Sequence, residues 1–313
     1  MVNTEHKLVN TKSSILSQRI RKDKALYFLL IPGLLYYIIF HYLPMGGVII
    51  AFQKFHISRG ILGSRWIGLD NFRAFFKSPD AFVLIRNTLL INIYELLYSF
   101  PVPIILSLLL NELKRLKFKR MVQTISYLPH FISTVIVVGM VVNFLSPQSG
   151  IINILLTKLG LESIFFMSKP EYFRTIYIAS GIWQSAGWGT ILYLAAISGI
   201  DPTLYEAAVI DGSNRFQKVI YITIPGMANV IVTLLILNIG KMLSVGAQKI
   251  ILMYNPLVYE TADVISTYVY RRGLIGTDYS FATAVGLFES IINLVLIVSA
   301  NKLSKKYSET SLW

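Results

Sequence analysis

The sequence contains no cysteine and only four histidines, His6, His41, His56 and His130. The first absence removes disulfide frameworks, thiolate metal sites and cysteine nucleophiles. The second leaves no two histidines at the short helical spacing that grips one ion, so no metal site is expected. Charge is sparse as well: 14% of the 313 residues are Asp, Glu, Lys or Arg, with 16 acidic against 29 basic. No Gly-x-x-x-x-Gly-Lys-[Ser/Thr] run is present to cradle nucleotide phosphates, because the one Gly-Lys pair, Gly240-Lys241, has no glycine upstream at that spacing and lies in an apolar stretch. His-Glu-x-x-His is missing, and no Ser/His or paired-Asp arrangement falls in the apolar runs, so no catalytic residue is expected.

What the chain has in quantity is apolar surface. Hydrophobic residues make up 54% of it and the mean hydropathy is +0.60, values of an integral membrane protein. The net charge of +13 sits beside apolar runs, where anionic lipid headgroups account for it better than nucleic acid does. A bilayer core of about 30 Å needs roughly 20 apolar residues of helix. Six stretches reach that length, at about 25–50, 82–110, 121–145, 176–197, 226–246 and 281–300. The expected fold is therefore an all-α integral membrane protein of six transmembrane helices. Its parts are a basic amino-terminal segment (1–24), a transmembrane domain (25–303) and a tail (304–313).

The first stretch follows a charged segment but offers no small-residue cleavage site near Pro44, so it reads as a retained span. With the amino terminus in the cytoplasm, the cytoplasmic segments hold sixteen Lys and Arg and the longer external segments eleven. That bias predicts a multi-pass protein of the bacterial cytoplasmic membrane with both termini in the cytoplasm. The short basic turn 113–120 carries the strongest part of it. Glu95, Lys241 and Glu289 fall within spans, where a charge must face the helix bundle or water.

The loop 198–225 differs from the others. Pro202 is compatible with a helix start, Thr203 with Glu206 fits a capping box, Gly212 suits the positive φ that ends a helix, and Pro225 marks the next span. Ala207 and Ala208 give the first helix a nearly bare face, flanked by Leu204 and Ile210, that suits docking into a groove. Read from its residues alone, the segment is either such a docking elbow or an ordinary helix on the lipid surface.

Glu206, Ala207, Ala208, Gly212, Ile222 and Pro225 stand at the spacing of the signature of ABC-importer permeases, with Ile224 in place of its leucine. The segments 29–34, 67–72, 126–129 and 150–161 resemble the carbohydrate, maltose-type branch, and 36–53 with 128–133 resemble its oligosaccharide- and polysaccharide-uptake subgroup. The resemblance implies a type I importer permease whose 198–225 loop carries a coupling helix seated on a cytoplasmic ATPase. It implies as partners two ATPase chains that bind ATP and Mg, a second, paralogous permease and an extracytoplasmic sugar-binding protein, with an oligosaccharide as cargo. This chain itself would hold no cofactor.

Sugars need hydrogen-bonding groups beside aromatic faces. In related maltose-type permeases the cavity is lined by the span before the coupling loop and by the one after it. Here those regions offer Trp183, Gln184, Ser185, Trp188 and Asn238. Helix packing explains the same residue types equally well. Lys241, if it faced the cavity, would suit an acidic sugar. An importer for an amino acid, peptide or phosphonate, and an ATP-independent secondary transporter, are the alternative functions, the second weakened by the lack of a visible inverted repeat.

Overall fold

The computed structural model describes residues 22–307. Most of the basic amino-terminal segment and the end of the tail lie outside them. The chain forms two units, Met1–Gly68 and Leu69–Trp313.

In the first unit a single helical span runs over Lys24–Phe52. None of its first fourteen residues is buried, and apolar side chains such as Leu26, Phe28 and Leu29 project all around it. A helix that is apolar on every side suits a lipid environment. A two-residue antiparallel ladder follows, pairing Gln53 with Trp66 and Lys54 with Arg65, and Phe52 stacks on Trp66 at 5.6 Å.

The second unit holds the other five spans. The second and sixth are continuous, Asp80–Asn111 and Tyr279–Lys306. The third is a bent pair, Leu116–Phe131 with Thr134–Phe144, turned by 98°, and the fifth is Arg215–Gly226 with Ala228–Ile239, turned by 61°. Together with the first unit's helix, these make five crossings by length and apolar content. The fourth span, Pro170–Ser198, is 29 residues long, about 43 Å of helix, and is less apolar because it carries Gln184, Ser185 and Thr190.

Proline explains a recurring local feature. Of four π-helical turns among the described residues, those at Ile38–Tyr42, Glu95–Ser99 and Val219–Thr223 have a proline two residues later, at Pro44, Pro101 and Pro225, while the fourth, Tyr270–Ile275, has none. A proline ring collides with the carbonyl four residues back and donates no N–H. The wider turn, seen in the Phe100 amide donating to the Glu95 carbonyl at 3.0 Å, lets the helix continue past it.

Two expected boundaries are corrected. The third span breaks at Ile132 and Ser133, where Ser133 caps a new helix by accepting the Ile136 amide. The fifth ends at Ile239, so 240–246 is not helical span. There the Leu243 amide donates to Asn293 Oδ1 at 3.0 Å, and Gly240 packs so closely on Ile297 that a Cβ would lie 2.8 Å from its Cδ1.

The largest buried cluster joins Ile91, Val138, Phe173, Tyr177 and Ile178 to Ile250, Met253 and Val264. The segment between the fifth and sixth spans is thus part of the core. It is fixed by Arg271, which donates to both carboxylate oxygens of Asp263 at 3.1 and 2.6 Å.

Candidate functional site: a coupling elbow and the polar fourth span

The elbow helix spans Pro202–Ile210 and buries none of its residues. Its cap is Asp201, which accepts the Thr203 amide at 2.9 Å, and not Thr203 as the capping-box pattern predicts. Pro202 occupies the first helical position, which puts the cap at Asp201, two residues earlier than Thr203, and leaves Glu206 too far along the helix to reach back. The reciprocal capping box belongs to the next helix: Gln217 donates its amide to Asn214 Oδ1 at 2.9 Å, and Asn214 donates its own to Gln217 Oε1 at 2.8 Å. The amide bonded to Asp201 holds that carboxyl below the usual carboxylate range.

The other end behaves as its glycine requires. Gly212 has φ +77°, the Ser213 amide donates to the Ala208 carbonyl at 2.8 Å, and the Gly212 amide donates to Val209 at 3.1 Å. This is a Schellman stop. Tyr205 then bonds Thr223 hydroxyl to hydroxyl at 3.0 Å, tying the elbow to the helix that leads into the fifth span. Glu206 and Ala207 stand exposed and Ala208 half-exposed, beside the open apolar side chains of Leu204, Val209 and Ile210. Ile222 is half-buried and Pro225 exposed in the following helix. A short, capped helix with its apolar groups uncovered is built to meet another surface.

The sequence-derived pathway residues are not gathered into one pocket. Gln184 donates Nε2 to the Ile132 carbonyl at 2.9 Å, satisfying an acceptor at the break in the third span. Trp188 stacks on His130 at 4.6 Å with the rings 4° from parallel, and meets Phe131 edge-on. Ser185 and Asn238 bond back to their own helices, at Gly181 and Leu234. Trp183 lines a cavity of about 370 Å³ walled by Val137, Met140, Val141 and Ile176, which is too apolar for sugar hydroxyls. Lys241 lies exposed in the turn beyond the fifth span, outside the helix in which the sequence placed it.

Gly187 shows why small residues are needed here: a Cβ on it would overlap the Ser126 carbonyl. Of the span carboxylates, Glu289 accepts the Ser244 hydroxyl at 2.8 Å, and Glu95 begins the π turn of the second span and interacts electrostatically with Lys249.

Sequence reasoning missed two cations. Lys249 donates to the Tyr177 carbonyl at 2.7 Å and lies 4.4 Å from that ring's centroid. Arg174 lines a cavity of about 560 Å³ with Tyr94 and Tyr98. Both had been placed among external charges, and only the folding of the 247–278 segment into the core brings Lys249 inside.

Six spans joined by an exposed, capped elbow define an integral-membrane transport component. The chain belongs to the family of binding-protein-dependent transport system inner membrane components, whose model matches residues 86–309. It is 46% identical to Protein LplB of Bacillus subtilis (strain 168), over 94% of this chain and 92% of that one. To the polygalacturonan/rhamnogalacturonan transport system permease protein YteP of the same strain it is 45% identical, over 93% and 91%. The crystal structure of a bacterial ABC transporter involved in the import of the acidic polysaccharide alginate superposes with a TM-score of 0.87, at 45% identity over 94% of this chain and 99% of that one. A second structure of a bacterial alginate ABC transporter, in complex with an alginate pentasaccharide-bound periplasmic protein, has the same TM-score at 44% identity, covering the same shares of the two chains.

Proposed function

We propose that this chain is one half of the translocation pathway of an ATP-driven importer for an oligosaccharide delivered by an extracytoplasmic binding protein. The observation that carries the coupling half of this reading is the elbow: nine helical residues, none buried, capped at both ends and tied by Tyr205 to the next span. Glu206, Ala207, Ala208 and Gly212 are the residues that meet a cytoplasmic ATPase, while Ile222 and Pro225 carry its movement into the fifth span. ATP and Mg belong to that ATPase, and the second half of the pathway to a paralogous permease.

The cargo follows from the relatives: a polygalacturonan/rhamnogalacturonan permease and an alginate importer both handle carbohydrate chains. The distribution of Lys and Arg supports cytoplasmic termini and an elbow on the cytoplasmic face.

The absence of native cysteine makes a direct test clean. Ala207→Cys should cross-link to single cysteines in the ATPase cleft, with a yield that changes when ATP is added. Ser213→Cys should react with impermeant maleimide only from the cytoplasmic side, and Ser163→Cys only from outside. The opposite sidedness, or an elbow that never cross-links, refutes the assignment.

A further inference from the structure

The cavity beside Arg174 has a composition the coupling role does not explain. Tyr94 and Tyr98, on the second span around its π turn, face Arg174, Thr175 and Ile178 on the outer turns of the fourth. The volume of about 560 Å³ falls in the range of small-ligand sites. The two tyrosine rings lie 6.1 Å apart at 57° and present both apolar faces and hydroxyls.

Arg174 is held but not neutralised. Its Nη2 donates to Asn87 Oδ1 at 2.9 Å, and the same oxygen lies 3.3 Å from Arg86 Nη2. Arg86 also donates to the Glu260 carbonyl at 2.8 Å. Two guanidinium groups therefore converge on one neutral amide oxygen, and that amide is itself anchored by donating to Glu260 and Asp263 carbonyls. The Arg174 Nε is buried and lacks a well-formed hydrogen bond, and the Tyr94 side chain interacts with the guanidinium. Glu171 lines the same cavity and Glu260 lies nearby, but both are exposed to solvent, and neither is within ion-pair distance of Arg174 or Arg86. Solvated carboxylates at longer range neutralise a half-buried cation weakly. A guanidinium with no carboxylate within ion-pair distance is best matched by a planar anion.

Taking the oligosaccharide-importer reading as its basis, we infer that this cavity is a subsite for a hexuronate residue. Arg174 receives the ring carboxylate on the side of its guanidinium that lines the cavity, Asn87 holds the guanidinium in place, and Tyr98 takes the apolar face of the pyranose. Ser185 lies eleven residues, three helical turns, along the same face of the fourth span, about 16 Å further toward the cytoplasm. It would meet the next part of the chain as it moves inward.

The test uses the complete complex, with its ATPases, partner permease and binding protein, in proteoliposomes. Uptake KM is measured for trigalacturonate and for its fully methyl-esterified, uncharged form. Comparing variant with wild type for each probe cancels the binding protein's own preference. Arg174→Gln should raise KM for the acid at least tenfold and leave the ester within twofold; Arg174→Lys should recover part of the loss. Tyr98→Ala should weaken both probes alike, and co-purification of the ATPase shows that each variant is assembled.

Equal effects of Arg174→Gln on both probes, as for a scaffold residue or a lipid-headgroup anchor, overturn the subsite, as does no effect. A wild-type complex that takes up neutral oligosaccharides but neither uronate probe also overturns it while leaving the importer reading intact. Failure to take up any oligosaccharide sinks that reading as well.

Discussion

Replacing Gly212 by valine isolates the elbow's geometry from every other feature of the loop. The residue sits at φ +77°, and a Cβ built on it meets no atom within 4 Å, so the cost is torsional and not steric. An L-residue in that region costs about 1–2 kcal/mol, and β-branching adds to it. The elbow helix buries nothing that would compensate, so the strain falls on the Schellman stop and on the angle at which the helix is presented. At about 1.4 kcal/mol per decade, affinity for the ATPase should drop roughly 5- to 30-fold. Titrating purified ATPase onto permease in nanodiscs reads this directly, with unchanged thermal unfolding of the permease as the control. Gly212→Asn should stay close to wild type, because asparagine tolerates the left-handed region. Wild-type affinity and coupling in the valine variant would refute the reasoning. An asparagine variant as weak as valine would point instead to a partner atom packed against the glycine.

Two further substitutions separate packing from transport. Gly187→Val drives a side chain into the Ser126 backbone and should destabilise the permease by about 3 kcal/mol or more, seen as a lower unfolding midpoint in detergent, whereas Gly139→Ala, with open space around it, should not. Gln184→Leu leaves the Ile132 carbonyl at the 98° break without its donor and should cost about 1–2 kcal/mol of stability. A KM change with no stability change would return Gln184 to the substrate pathway.

The parts of this structure that were legible in the sequence are those set by local rules. Six apolar runs and a glycine at a helix stop act through neighbouring backbone, so the existence of the spans and the stop at Gly212 were legible, while the break at Ile132 and Ser133 and the early end at Ile239 were not. The cap was misplaced by two residues because Pro202 takes the first helical position and shifts the donor pairing to Asp201. Long-range features were not visible. Asn87 meets Arg174 across 87 residues and Asp263 across 176, and neither spacing has a periodicity to read. Hydropathy placed Lys241 inside a span, while the turn ending the fifth helix puts it outside and the 247–278 segment folds back to bring a half-buried Lys249 against Tyr177. For Trp188 the residue type was informative, but only the fold shows its ring covered on one face by His130.

The central claim, that this chain carries an oligosaccharide inward when ATP acts on its elbow, is tested most directly by uptake into proteoliposomes. These would contain the permease pair and the ATPases, with the binding protein added outside. The account predicts accumulation of labelled oligosaccharide that requires ATP inside and the binding protein outside, and that falls sharply with Gly212→Val. Uptake that proceeds without ATP, or a valine variant that transports like wild type, would contradict it.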